Sequence, residues 1–219
     1  MRLVASFFLL ALLSAPAQTG NRSTVVASGT ASISVTPDQA QIDVSAVTQA
    51  ASAQDATSQN ATIAANIIAQ VTQALGTSGT VQTVNYSVNP TYNNQGNLTG
   101  YSVTNTIQVT LNDLTITGKI IDTAVQAGAS RIDSLQFTLK DDSGPRAQAL
   151  AAATNKAKTL ANAMAAAAGL QATSFITIQE AGATVVSPTL GTAAPTTTPI
   201  QSGQLTVTGT VTISMQLSQ

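Results

Sequence analysis

The chain has 219 residues, 43% of them hydrophobic, which is enough to bury a real core in one large domain or two small ones. Only 8% are charged, against roughly 25% in an average soluble domain, and the formal net charge of −1 leaves no electrostatic case for nucleic acid or an anionic membrane as partner. With no Cys and no His, disulfides, thiol nucleophiles, Ser-His-Asp triads and His- or Cys-bound zinc are excluded.

Residues 1–17, "MRLVASFFLLALLSAPA", read as a secretory signal peptide. Arg2 supplies the positive start, Leu3 to Leu13 the apolar stretch, and Ala15-Pro16-Ala17 the small-x-small cleavage site. The apolar run falls short of the about 20 residues of a membrane span. The expectation is cleavage after Ala17 and no membrane span afterwards. The mature part, 18–219, then begins with a period-two strand over 24–36, with Val25, Ala27, Ala31, Ile33 and Val35 on one side. Gly29 lies in that register, marking a bulge or a close approach. Pro37-Asp38 breaks the run, and a second strand over 39–49 follows, the two read as an opening hairpin.

The period changes over 52–75, where Ala56, Ile63, Ile67, Val71 and Leu75 form one helical stripe, with Ser52 or Asp55 as cap and Gly76 as stop. Strands over 81–89 and 101–111 flank the turn-rich segment 89–100 and predict a long hairpin. Tyr86 and Tyr101 are expected to face each other across it, with Tyr92 a contact at the loop. Asn112 or Asp113 caps a second helix reaching about Gln126, and a strand over 131–140 follows.

Asp141-Asp142-Ser143-Gly144-Pro145 opens a third helix to about Ala168. That helix is nearly half alanine, with Leu150, Leu160 and Met164 as its larger contacts, and its smooth surface permits close approach to a sheet. A strand over 173–181, a flexible Pro- and Thr-rich loop over 182–203 and a last strand over 204–217 complete the chain.

The order is β-β-α-β-β-α-β-α-β-β, an α+β chain. Strands two to five spell βαββαβ, a ferredoxin-like layer over 38–140. Right-handed crossovers place strands two and four in its centre and strands three and five at its edges. The added first strand (24–36), the Ala-rich helix and the two C-terminal strands (141–219) form a second sheet or extend the first. Pro37-Asp38 is then where the chain passes between layers.

With the elements placed, "VVASGTASISVTPDQAQIDVSAV", "VNPTYNNQGNLTGYSVTNTIQVTLNDLTITGKIIDTAVQAGAS", "DSLQFTLKD" and "RAQALAAATNKAKTLANAMAAAAGL" occur in an order that resembles the SIMPL-domain family of secreted bacterial proteins, which includes the periplasmic immunogenic proteins. The resemblance covers about 24–217. It implies export to the periplasm or envelope, with ring-like or channel-like oligomers in some members and a link to oxidative stress tolerance in others. It carries over no catalytic residue, and the lack of Cys removes a thiol-based antioxidant role.

No residue of the sequence is assigned as catalytic, cofactor-binding or metal-binding, and no cofactor is implied. Asp141 and Asp142 lack the alternating ligands and distal Glu of a calcium loop. Lys156 and Lys158, two apart on one helix, point in different directions and serve solubility. No P-loop, dinucleotide fingerprint or Gly-x-Ser-x-Gly elbow occurs. Three functional readings stay open. The first is a non-enzymatic envelope protein that self-assembles or binds partners through strand edges, with the 81–89 strand and the last strand as candidates. The second is a carboxylate-based hydrolase with Asp43, Asp133 or Glu180 converging in a cleft. The third is a carrier holding a small apolar ligand under the Ala-rich helix.

Overall fold

In the computed structural model, which describes residues 23–186 and 202–219, the chain alternates seven strands with three α-helices. The signal-peptide expectation and most of the 182–203 loop lie outside the described residues. The elements are β1 (Thr24–Val35), β2 (Gln39–Ala50), α1 (Ala53–Leu75), β3 (Gly79–Tyr92), β4 (Leu98–Leu111), a short 3-10 turn (Leu114–Ile116), α2 (Thr117–Gln126), β5 (Arg131–Thr138), α3 (Ser143–Ala167), β6 (Gln171–Val186) and β7 (Leu205–Ser218).

Two antiparallel sheets form. The larger has the order β3-β4-β2-β5 and the smaller the order β1-β7-β6. The larger sheet has the centre and edges that right-handed crossovers dictate for βαββαβ. β1 and β2 are consecutive but do not pair, which corrects the opening hairpin. β1 runs along β7 instead, in unbroken register from Thr24 opposite Gln216 to Val35 opposite Leu205. Pro37 supplies no N–H and pins its φ, so the ladder ends there and the chain crosses to the other sheet.

α1 begins at Ser52, whose hydroxyl oxygen accepts from the Asp55 N–H at 3.1 Å while donating to the Asp55 carboxylate at 2.7 Å. Its buried stripe is Ala56, Asn60, Ala64, Ile67, Val71 and Leu75. These pack on Ala40, Ile42, Val44 and Ala46 of β2 and Ile107, Val109 and Leu111 of β4, with Ile120 and Ala124 of α2 alongside. Asn60 is fully buried, and its amide N–H groups donate to the carbonyls of Ala46 and Val103, at 2.9 and 3.3 Å. This side chain ties the helix to two neighbouring central strands where an apolar residue could not.

The smaller sheet packs against α3 through a second core of Val25, Ala27, Ala31, Val211, Ile213 and Met215. The helix meets it through Ala149, Ala153, Ala157, Ala161 and Ala165, spaced four apart and all buried. Leu160 and Met164, expected as contacts, instead stand 46% and 47% exposed on the far side. The reason is proximity. A Cβ at Gly29 would lie 2.1 Å from the Ala153 carbonyl oxygen, and one at Gly209 would lie 3.0 Å from the Ala149 carbonyl carbon. Only glycine under alanine permits that approach, so Leu160 and Met164 turn outward, while Leu150 packs against the core as expected. Gly29 is thus a close approach, not a bulge. At Gly29 and Gly209 the helix backbone lies directly on the strands, which leaves no room there for the small apolar ligand of the carrier reading.

The two halves share one core residue of note. Leu205, the first residue of β7, is fully buried among the side chains of the four-stranded sheet. Within the larger half, Asp38 fixes the start of β2 on the end of β5: its N–H reaches the Thr138 carbonyl at 3.3 Å and its carboxylate accepts from the Lys140 N–H at 2.7 Å.

Candidate functional site

Alternation in each strand sends apolar side chains toward the helices and polar ones to the opposite sheet face. The three helices pack on the apolar faces. On the smaller sheet this face is a ladder of hydroxyls: Ser28 with Thr212 at 2.8 Å, Thr30 with Thr210 at 3.2 Å, and Ser32 with Thr208 at 2.8 Å. On the larger sheet one chain of bonds crosses all four strands. Gln82 donates to Gln108 at 3.1 Å, Gln108 to Asp43 at 3.1 Å, and Ser134 to the other Asp43 oxygen at 2.8 Å.

A second row lies beside it. The β2–β5 register slips after Asp43, which pairs with Ser134, so that Val44 pairs with Ile132 and Asp133 is the extra residue of a bulge. The bulge aims the Asp133 carboxylate at Ser45 and Arg131, which both donate to it. Ser45 gives its single proton to Asp133, so it accepts from Thr106 at 2.9 Å.

The structure therefore brings Asp43 and Asp133 onto one face and leaves Glu180 elsewhere. Glu180 lies on β6 and accepts from Arg146 of α3 at 2.6 Å, a contact that also raises the Arg146 pKa. Each of the two aspartates has both oxygens engaged by donors on an open sheet. That is not the convergent, water-excluding cleft in which a carboxylate acts as base or nucleophile. Asp141 accepts from the Ser143 N–H at 2.9 Å and so braces the start of α3, whereas the Asp142 side chain makes no cap bond. No group of three or more Asp or Glu side chains among the described residues is placed to hold a metal ion.

The strand edges differ more than the faces. β5 carries Arg131 and Asp133, and β6 carries Glu180 beside Arg146. β1 has no charged residue of its own, but Lys156 of α3 reaches over to donate to the Thr30 carbonyl at 3.2 Å. Lys156 thus has a defined partner where solubility alone was expected. The last strand, β7, proposed from the sequence as an edge, is the centre of its sheet. Its Thr-rich alternation resembles an exposed strand, but β1 and β6 flank it on both sides.

β3 is an edge, and it has none of these protections. Its 14 residues include no Asp, Glu, Lys or Arg, and the 23 residues of α1 beside it contribute only Asp55. Val84, Tyr86 and Val88 are 47%, 49% and 40% exposed. Pro90, opposite Tyr101, is a residue that sheets tolerate at edges. Tyr86 stands opposite Asn105, not Tyr101, so the two tyrosines do not form the cross-hairpin pair expected. Tyr92, at the end of β3, is exposed.

Known proteins bear on this surface only through kinship. The chain is similar to the 26 kDa periplasmic immunogenic protein of Brucella melitensis biotype 1, 28% identical over 173 residues, which is 74% of this chain and 69% of the relative. The protein of the same description from Brucella abortus matches with the same identity and coverage. The SIMPL family model, described as a protein of unknown function (DUF541), matches residues 25–215, both sheets and all three helices together; the chain belongs to the SIMPL family.

Proposed function

We propose that this is a non-enzymatic protein of the periplasm that works by joining another chain along the free edge of β3. Its location is supported by the periplasmic relatives it resembles and by the signal-like residues 1–17. The observation that carries the mode of action is the contrast between edges. An unpaired edge is a template for a further strand unless charge, Pro or a covering element blocks it. Charged side chains stand at β1, β5 and β6, whereas β3 has none and, apart from Pro90 and two bulges, presents three half-exposed apolar side chains. Main-chain hydrogen bonds supply affinity in such strand addition, and the alternate side chains supply specificity.

Hydrogen–deuterium exchange of the mature protein tests this reading. Amides within 79–92 are expected to slow at high protein concentration or in periplasmic extract, while those of β7 stay unchanged. Exchange at 79–92 that is the same in dilute buffer, concentrated protein and extract overturns it.

A further inference from the structure

Apart from the β3 edge, we infer that the edge of β1 under α3 is a second, selective docking site, which takes an extended peptide carrying a carboxylate side chain. The main chain supplies the first argument. The Leu217 N–H donates to the Ser23 carbonyl at 2.8 Å, one step before the pair Thr24 and Gln216. Antiparallel ladders alternate, so the odd-numbered residues from Val25 to Val35 bond to β7. The N–H and C=O groups of Thr24, Val26, Ser28 and Thr30 then point to the open side, because β1 ends its sheet. Lys156 of α3 meets the last of these, donating to the Thr30 carbonyl at 3.2 Å.

The helix supplies the second argument. Lys156, Leu160 and Met164 follow at four-residue steps, so they form one outward row of α3, with Lys156 at the β1 edge. α3 runs against β1: Gly29 lies under Ala153 and Ala157, and Gly209, the partner of Ala31, lies under Ala149. Leu160 and Met164 therefore stand beyond Lys156 toward Ala27 and Val25, along the part of the edge that Lys156 leaves open. Both are nearly half exposed. Four residues of helix rise about 6.0 Å, and two residues of strand about 6.6–6.8 Å, so the row reads alternate side chains of a strand laid along β1. An ammonium has three N–H donors, and Thr30 takes one. The remaining donors repel a basic strand and pair with an acidic one. The matching peptide has one carboxylate followed by two apolar residues, each two positions apart. Antiparallel pairing is the more stable per residue, and it sets the acid opposite Gly29, which has no side chain to crowd it, and the apolar residues opposite Ala27 and Val25.

The probe is a fluorescein-labelled, end-capped peptide, Thr-Glu-Thr-Val-Thr-Val-Thr, titrated with the mature protein and read by anisotropy. Saturable binding is expected below about 1 mM. The same peptide with Gln in place of Glu is expected to bind about two- to fivefold more weakly, the size of an exposed ion pair. Lys156→Glu is expected to reverse the preference, so that a peptide with Lys in place of Glu binds better than the original. Leu160→Gln/Met164→Gln, at exposed helical positions, is expected to weaken binding at least about tenfold with the circular dichroism spectrum unchanged. Amide exchange locates the contact: Val26 and Ser28 are expected to slow on adding peptide, and 79–92 to stay as it was. No saturable binding up to about 1 mM, a peptide preference that Lys156→Glu leaves in place, binding indifferent to the Leu160 and Met164 changes, or slowing at 79–92 in place of Val26 and Ser28 each overturns the inference. The exchange readout separates the two edges, so failure at β1 leaves the β3 reading to its own test.

Discussion

Gly29→Ala is a one-carbon change whose effect the packing of α3 determines. The new methyl would sit 2.1 Å from the Ala153 carbonyl oxygen and 2.6 Å from the Ala157 nitrogen, where ordinary contact begins near 3.4 Å. Both obstacles are helix backbone, so no rotamer change relieves the overlap. α3 must lift by about 1 Å, and a gap of that size forfeits a quarter to a half of each contact well along the alanine row. Overpacking alone costs about 1–3 kcal/mol. With the five alanines all buried in the same interface, the expected loss lies at or above the upper end, about 3 kcal/mol. Urea unfolding followed by circular dichroism reads this as a midpoint lowered by on the order of 1 M or more, given slopes of about 1–3 kcal/mol per molar. Gly144→Ala is the control, since a Cβ there meets nothing within 4 Å and the position is helical. It is expected to be neutral or stabilising by up to about 1 kcal/mol. A Gly29→Ala midpoint equal to that of the parent would refute the glycine-under-alanine account of this interface.

Leu205→Ala removes a fully buried side chain that belongs to β7 yet packs in the core of the other sheet. It is expected to cost about 2–5 kcal/mol and to raise amide exchange in β2 and α1, in the other half of the fold; an effect confined to β1, β6 and β7 would contradict the shared core. Acid sensitivity has a defined origin in two exposed carboxylates. The Thr115 hydroxyl, then its N–H, holds the Asp113 pKa below the usual range, and the Ser143 hydroxyl and N–H do the same for Asp141. A lowered folded-state pKa gives stability that is complete above the unfolded value, near about pH 4, and is lost as pH falls through the lowered value. The double variant Asp113→Asn/Asp141→Asn is therefore expected to lose less stability than the parent below that pH; parallel acid limbs in urea titrations would disprove the assignment.

Alternation made the strands legible. β1, β2, β4 and β7 carry their apolar residues at period two, and βαββαβ with right-handed crossovers leaves one order for the larger sheet. The partner of β1 was not legible. β7 lies 170 residues or more away from it in sequence, and a Thr- and Val-alternating strand carries no mark of which neighbour it takes. For the same reason β7 read as an edge. The α3 interface misled through size, because Leu160 and Met164 outweigh alanine on any hydrophobic scale. Its true signal was present in two places: glycine inside the register of a strand at 29 and at 209, and alanine at 149, 153, 157, 161 and 165. The bulge that turns Asp133 toward Ser45 left no trace, since the extra residue appears only when β5 is laid beside β2.

Low charge sharpens the meaning of each charged group in this fold. With eight Lys and Arg and nine Asp and Glu in the whole chain, edges cannot be protected by abundance. Apart from Asp43 of β2, charge on the sheets stands at edges: Arg131 and Asp133 at β5, Glu180 with Arg146 at β6, and Lys156 drawn over from α3 to the Thr30 carbonyl of β1. The central strands β4 and β7 carry none, and β2 keeps Asp43 bonded to Gln108 and Ser134. A chain that spends so few charges, and places them at three of four edges, leaves β3 as the position where a further strand meets no electrostatic barrier. A short, screened ion pair contributes little to stability, about 0–1 kcal/mol. On the proposed reading its consequence lies in which strands are closed to a partner, and that reading gives the edge of β3 more weight than the carboxylates of the open face.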